Sequence, residues 1–176
     1  DIIFFTQDGK MQVVKVGSKV FIGKNILHVA VFKKKDQRTI YNMIYQDGKG
    51  GTSYIKRFAV TGVTRDKAYD LTQGKPQSTV LYFSANPNGE AEVVTVLLRN
   101  LSSIKKVKWD LDFADLQIKG RSVRGNTVTK YPVRKVELKE KGVSTLKPRK
   151  IWFDEAIRRL NLEERGNLLG AFKGED

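Results

Sequence analysis

Gln7-Asp8-Gly9-Lys10 recurs as Gln46-Asp47-Gly48-Lys49, and the two copies begin a glycine-centred repeat. Related turns follow at Gly89, Gly125 and Gly166, so that successive glycines are 39, 41, 36 and 41 residues apart. A period of about 40 residues built from strands and tight turns is typical of propeller-like arrays, in which each unit is a small β-sheet. The spacing therefore predicts an all-β fold before any single side chain is considered.

The five turns divide the chain into units of similar length. The units run approximately over 1–38, 39–77, 78–114 and 115–150, with a partial unit over 151–176. Because repeat units of this kind bury their apolar faces against one another, we expect about four blades packed side by side in a single domain. The partial last unit predicts a propeller that is either incomplete or closed by strands from the start of the chain.

Residue patterns within the units indicate strands almost everywhere. From Lys106 to Phe113 charged and apolar residues alternate, as in a strand with one buried face and one wet face. The stretch from Phe153 to Leu160 has helical spacing instead, and Asp154 could cap its N-terminus. We therefore predict one short helix near the C-terminus and strands in the other units.

The chain is strongly basic. It contains 33 Lys and Arg against 19 Asp and Glu, a formal net charge of +14 over 176 residues, and the basic residues are spread from Lys10 to Lys173. Distributed positive charge attracts polyanions through sequence-independent, salt-dependent contacts with phosphates. We therefore expect a nucleic acid as the partner, in preference to a membrane or an acidic protein.

The sequence gives little support for catalysis or metal binding. There is no cysteine, and the one histidine, His28, stands among apolar residues. Asp110, Asp112 and Asp115 resemble a magnesium-binding group, but strand alternation already explains the first two as solvent-facing residues. Gly120–Gly125 has the glycine spacing of a P-loop, but the next two residues are not the required Lys and Ser/Thr. We predict a non-catalytic chain with no metal site, no cofactor of its own and no membrane-spanning stretch.

Several segments together resemble those of one family. They are Phe4–Lys10, Tyr54–Lys67, Asn86–Val94 and Lys119–Val133. Over essentially its whole length the chain resembles the C-terminal domain of the A subunit of bacterial type IIA DNA topoisomerases of the Bacteroidetes type, as found in topoisomerase IV and in gyrase.

The resemblance implies a fold and a role. The family fold is a β-pinwheel, a propeller-like arrangement in which neighbouring blades exchange strands, and it binds duplex DNA around a positively charged rim. Such a domain presents a DNA segment to the cleavage core of the A subunit. The implied partners are double-stranded DNA, the rest of the A subunit and the ATPase B subunit of a heterotetramer. ATP and Mg²⁺ would bind outside this domain, and the location would be the bacterial cytoplasm, on the chromosome.

One departure from the family pattern bears on the activity. Gyrase A subunits that wrap DNA with a defined hand carry a box reading Gln-Arg-Arg-Gly-Gly-Lys-Gly, and this sequence lacks it. The nearest basic, glycine-containing strings are Gln46–Gly51 and Lys119–Gly125. The departure favours relaxation and decatenation, the role of topoisomerase IV, over negative supercoiling.

Contacts with DNA phosphates call for lysine and arginine side chains on outward-facing loops. The residues predicted to make these contacts are Lys10, Lys24, Lys49, Lys56, Arg57, Arg65, Lys67, Arg121, Arg124, Lys130 and Arg134. Trp109 and Trp152 are predicted to lie in the core, because a duplex-binding surface does not need exposed stacking rings.

Two other functions are compatible with the charge. A propeller-like scaffold could hold an acidic partner protein, and an exposed apolar or aromatic rim would favour that function. An RNA-binding module would prefer single strands or hairpins to duplex DNA. The repeat spacing and the resembling segments together favour the topoisomerase domain over both.

Overall fold

The computed structural model describes residues 1–17, 19–100, 102–162 and 165–172. The described chain is nearly all β-structure and confirms the predicted fold class, with a 3₁₀ turn over Phe113–Asp115. The strands, in chain order, are β1 (Ile2–Thr6), β2 (Lys10–Val14), β3 (Ile26–Val31), β4 (Ile40–Gln46), β5 (Ser53–Ala59), β6 (Tyr69–Asp70), β7 (Thr79–Asn86), β8 (Glu90–Leu98), β9 (Lys108–Asp112), β10 (Ile118–Gly120), β11 (Asn126–Thr129), β12 (Val133–Ser144), β13 (Arg149–Asp154), β14 (Arg159–Asn161) and β15 (Asn167–Phe172).

Within the described ranges these strands form four sheets. The first sheet has the strand order β3-β1-β2-β6, and the second has the order β10-β5-β4-β7, with β11 also paired to β5. The third sheet has the order β12-β8-β9 and the fourth has the order β14-β13-β15. The strand pairs are antiparallel, except that β10 runs parallel to β5.

Several strands pair outside the predicted unit in which they lie. The second unit supplies β6 to the first sheet, where it pairs with β2. The third unit supplies β7 to the second sheet, where it pairs with β4. The fourth unit supplies β10 and β11 to the edge of β5 and β12 to the edge of β8. Exchange of strands between sheets is a feature that the pinwheel resemblance implies, while the arrangement of blades in a ring stays a prediction.

The five glycines that define the repeat share one backbone conformation. Their φ angles are 77° at Gly9, 82° at Gly48, 68° at Gly89, 93° at Gly125 and 80° at Gly166. These angles lie in the left-handed region, which residues with a Cβ atom rarely adopt. At Gly9 a Cβ atom would also come within 2.5 Å of the Thr72 methyl group. The repeated glycines therefore mark turns that other residues would strain.

The predicted helix over 153–160 is wrong. This stretch is the end of β13, a turn and the start of β14, and Phe153 pairs with Leu160 across the hairpin. The Asp154 carboxylate accepts a hydrogen bond from the backbone N–H of Ala156 (3.0 Å), which closes a turn, and Arg158 has a φ angle of 52°. A helix of this length is marginal in water, so strand pairing outweighs the local helical spacing.

The main core contains residues of the first and second sheets. The rings of Phe5, Tyr41, Phe58 and Phe83 pack with centroid distances of 4.6 to 5.9 Å between contacting pairs. The His28 ring lies 6.1 Å from Phe5, and burial lowers the pKa of its imidazole. His28 therefore has the packing role that the sequence indicates.

A smaller core contains residues of the second and third sheets, among them Ile44, Val94 and Phe113, all fully buried. The fourth sheet differs, because every described residue of its three strands is exposed or half-buried. Leu160 and Leu169 of this sheet are 67% and 60% exposed. The first three sheets are therefore joined through apolar cores, and the fourth sheet contributes no buried residue.

Candidate nucleic-acid interface

Lys56 does not reach the surface. Its side chain rises from the middle of β5, and the residue is 3% exposed. Its Nζ atom donates hydrogen bonds to the backbone oxygens of Leu71 (2.6 Å), Arg121 (2.7 Å) and Val123 (3.1 Å). Burial lowers the pKa of the ammonium group to about 8, against a smaller opposing effect from Asp70. Lys56 thus ties two separate backbone segments to β5.

Arg57 is also buried, at 2% exposure. Its guanidinium donates to the side-chain oxygen of Asn42 (2.9 Å) and to the backbone oxygen of Gly89 (3.0 Å). The Asn42 amide in turn donates to the Glu92 carboxylate (2.9 Å), so a buried arginine and a buried glutamate are bridged by one amide. Burial lowers the pKa of Arg57, and the nearby Glu92 carboxylate opposes this shift. This network joins the second sheet to the third.

The prediction that Lys56 and Arg57 contact DNA is therefore wrong. Neighbouring residues of a strand point to opposite faces, and both faces of β5 are covered at this point. The apolar residues that flank the pair, Ile55 and Phe58, are themselves buried and were the available signal that the strand is central.

The chain between β10 and β11 forms a loop over Lys56, which we call the Arg121 loop (residues 121–125). The loop is fixed at both ends, because β10 and β11 pair with the same edge of β5. The hydroxyl of Tyr45 donates to the backbone oxygen of Arg124 (2.7 Å), which adds to the bonds from Lys56. At Gly125 a Cβ atom would lie 2.3 Å from the backbone oxygen of Ile55. The loop is thus held close against the sheet.

Three of the predicted residues, Lys67, Arg121 and Arg124, lie on or beside the Arg121 loop, and we call them the first basic cluster. The Arg124 guanidinium lies 5.3 Å from the centre of the Tyr54 ring. The Arg121 guanidinium lies 4.2 Å from the centre of the Tyr69 ring and donates to the backbone oxygen of Gly62 (2.9 Å). The Lys67 ammonium lies 5.4 Å from the same ring. The Tyr69 ring attracts both cations and so helps to place them at this part of the surface.

Lys130, directly after β11, and Arg134, at the start of β12, are both exposed, and other basic residues that were not predicted to contact DNA lie beside them. Here the backbone N–H of Arg99 donates to the oxygen of Pro132 (3.0 Å). We call the exposed side chains of this region the second basic cluster, which comprises Arg99, Lys105, Lys106, Lys130 and Arg134. The signal for the omitted residues was the stretch 99–106, which has three basic residues and no acidic one.

The remaining predicted residues lie outside the two clusters. Lys10 pairs with Asp70, and the Arg65 guanidinium lies 2.9 Å from the Asp1 carboxylate, so both cations already have partners. Lys24 and Lys49 are exposed in turns of the first and second sheets. DNA contact by these four residues stays a prediction.

The two tryptophans are not core residues. Trp109 and Trp152 are half-buried, and neither belongs to the two core clusters of the described chain. Trp109 instead lines an open cavity of about 380 Å³ beside the second basic cluster, together with the half-exposed ring of Tyr131. The prediction that they pack in the core is wrong because their strands, β9 and β13, have uncovered faces.

Among the residues that the structure describes, no group of three or more potential ligands is placed to hold a metal ion. No helix in the described part of the chain is long and apolar enough to cross a membrane.

Together, the fold and these clusters define a class: an all-β domain with strand exchange between its sheets and with cationic loops fixed at two places on its surface. The chain belongs to the topoisomerase C-terminal domain family of the Bacteroidota, whose family model matches residues 1–141. Comparisons with curated proteins and with solved structures gave no match. The matched range contains the first two sheets, most of the third and both basic clusters. The fourth sheet lies beyond it.

Proposed function

We propose that this chain binds and bends duplex DNA without cutting it, and that it presents a DNA segment to the cleavage core of a type IIA topoisomerase A subunit. The membership of the topoisomerase C-terminal domain family supports a role beside that enzyme. The observation that carries DNA binding is the placement of two basic clusters on loops fixed by backbone hydrogen bonds.

The clusters suit phosphates better than base edges. Apart from the half-buried Arg121, their Lys and Arg side chains are exposed, and such side chains give affinity and register without reading sequence. Because the Arg121 loop is held against β5, the backbone that carries its two arginines loses little further freedom on binding. Bending, as part of the proposal, would cost deformation energy that contacts with both clusters repay.

The proposal extends to the enzyme that contains the domain. We propose an A subunit that works with an ATPase B subunit in a heterotetramer, with ATP and Mg²⁺ bound outside this domain, in the bacterial cytoplasm. The absence of the gyrase box from the sequence supports relaxation and decatenation as the reaction, in the manner of topoisomerase IV.

Competition binding tests the choice of ligand. A labelled 40-base-pair duplex is bound to the protein and challenged with unlabelled duplex, with an RNA hairpin or with polyglutamate. We expect duplex DNA to displace the label at the lowest concentration. Stronger competition by the RNA hairpin would favour an RNA-binding module, and stronger competition by polyglutamate would favour a scaffold for an acidic protein.

Ligation of a nicked plasmid with the protein bound tests the topological role. If the chain belongs to an enzyme of the topoisomerase IV type, we expect it to bend the plasmid without a large signed change in linking number. A clear signed change would mean that the domain wraps DNA with a defined hand and would support a gyrase instead.

A further inference from the structure

The cavity beside the second basic cluster has the composition of a nucleotide site. Its volume is about 380 Å³, at the lower end of the range for small-ligand sites. The apolar part of the lining includes Trp109, Tyr131 and Ile104, and the polar part includes Lys105 and Lys106. Aromatic faces beside lysine ammonium groups match a nucleobase joined to a phosphate.

Hydrogen bonds hold the part of the cavity wall that carries its two aromatic rings. The backbone N–H of Tyr131 donates to the Thr129 hydroxyl (3.0 Å), which holds the Tyr131 backbone at the end of β11. The N–H of Leu98 donates to the oxygen of Val107 (2.8 Å), and the N–H of Arg99 donates to the oxygen of Pro132 (3.0 Å). These bonds tie the end of β8 to the residue before β9 and to the residue before β12, so they hold together the segments that carry Trp109 and Tyr131.

The two rings are available for stacking. Tyr131 is 50% exposed, and Trp109 is half-buried at the cavity rather than packed within either core cluster. Asp110, the acidic neighbour of Trp109, is engaged elsewhere, because its carboxylate accepts from the Thr95 hydroxyl (2.7 Å) and from Lys139 (2.6 Å). The charged groups beside the cavity that remain available to a ligand are therefore the ammonium groups of Lys105 and Lys106.

We propose that this cavity receives an unpaired DNA base, stacked on Tyr131 beside Trp109, with the adjoining phosphates on Lys105 and Lys106. Bases within an intact duplex are stacked on one another and present no face to such a cavity, whereas single-stranded DNA does. The inference rests on the proposed DNA binding and extends it to unpaired nucleotides. Duplex binding through the first basic cluster does not depend on it.

Tryptophan fluorescence reports on the site directly. Replacing Trp152 by Phe leaves Trp109 as the only tryptophan in the chain. Addition of a twelve-nucleotide oligo(dT) to this variant should quench the fluorescence in a saturable manner. No quenching at protein and salt concentrations where duplex DNA still binds would overturn the inference and leave the proposed function standing.

Substitution of Tyr131 in the Trp152→Phe background identifies the platform. We expect Tyr131→Ala to weaken oligo(dT) binding about 5- to 100-fold, the range for the loss of one base–aromatic stack, and Tyr131→Phe to retain it. Lys67→Ala, in the first basic cluster, is the matched control and should weaken duplex binding without changing the quenching by oligo(dT). The melting temperature of each variant checks that the fold is intact.

Two further results would contradict the assignment. One is an affinity for oligo(dT) that Tyr131→Ala leaves unchanged. The other is quenching by oligo(U) without quenching by oligo(dT), which would assign the cavity to RNA.

Discussion

At the scale of single residues, Lys56 holds three backbone oxygens from two segments with one ammonium group. Replacing it by Met keeps the length of the side chain but leaves those oxygens without their donor. A buried acceptor left without its donor lowers the free energy of unfolding by more than the net contribution of one hydrogen bond. We expect Lys56→Met to lower the free energy of unfolding by about 2–4 kcal/mol, measured by urea denaturation. The exposed Lys67→Met is the control, with an expected change within about 0.5 kcal/mol.

The pH dependence of stability provides a second test of Lys56. Its pKa is lowered to about 8 in the folded protein, from an ordinary value of 10.5. Between these values the unfolded chain keeps the proton that the folded chain has lost, so the contribution of Lys56 to stability rises with pH. From pH 7.5 to 9.5 the stability of the wild type should rise relative to Lys56→Met by up to about 2 kcal/mol. A difference between the two proteins that does not change with pH would show that burial does not lower this pKa.

The burial of Lys56 and Arg57 also shows which residues of the candidate nucleic-acid interface could not be predicted from the sequence. Exposed cations in connecting segments, such as Lys67 and Arg124, were predictable because such segments lie at the surface. The role of Lys56 was not, because it depends on backbone oxygens about 15 and 65 residues away in the chain. A basic residue in a strand carries no local sign that a loop will cover it.

At the scale of elements, the Arg121 loop depends on close contact between its backbone and β5. Gly125 has a φ angle of 93°, and a Cβ atom there would meet the Ile55 oxygen at 2.3 Å. Gly125→Ala should therefore destabilise the domain by about 1–3 kcal/mol and should weaken duplex binding as the loop shifts. Gly120→Ala, at the start of the same loop, is the matched control, since its Cβ atom would meet nothing within 4 Å. Equal effects of the two substitutions, in thermal unfolding and in DNA binding, would refute this account of the loop.

The fourth sheet should contribute little to the stability of the others. None of its described residues is buried, and the predicted helix in this region is a hairpin with exposed leucines. A chain that ends after Lys147 retains Leu146, which packs near Gly89. We expect such a chain to melt within about 4 °C of the full chain, as a loss of no more than about 1 kcal/mol would give. A fall of 10 °C or more in scanning calorimetry would mean that the fourth sheet packs on the rest of the domain in solution.

At the scale of the whole molecule, the glycine repeat predicted the fold class because each of its five turns needs a left-handed residue. The pairing of strands could not be predicted from the sequence, since β10 and β11 join an edge of β5 that lies about 60 to 75 residues earlier in the chain. Which sheet a strand joins depends on tertiary packing, and the order of residues along the strand does not reveal it. The same pairing places the Arg121 loop, and with it the first basic cluster, at a fixed position on the second sheet.

The salt dependence of duplex binding tests the central claim, that the basic clusters bind DNA through its phosphates. The affinity for a 40-base-pair duplex should fall linearly with salt on logarithmic axes, with a slope of up to about −7 if every cation of both clusters contacts a phosphate. The double variant Arg121→Glu with Arg124→Glu should bind more weakly, with a slope smaller in magnitude by about 2, while Lys147→Glu with Lys150→Glu should match the wild type. Equal affinities and slopes for the wild type and the Arg121/Arg124 variant, with both proteins folded, would contradict the claim.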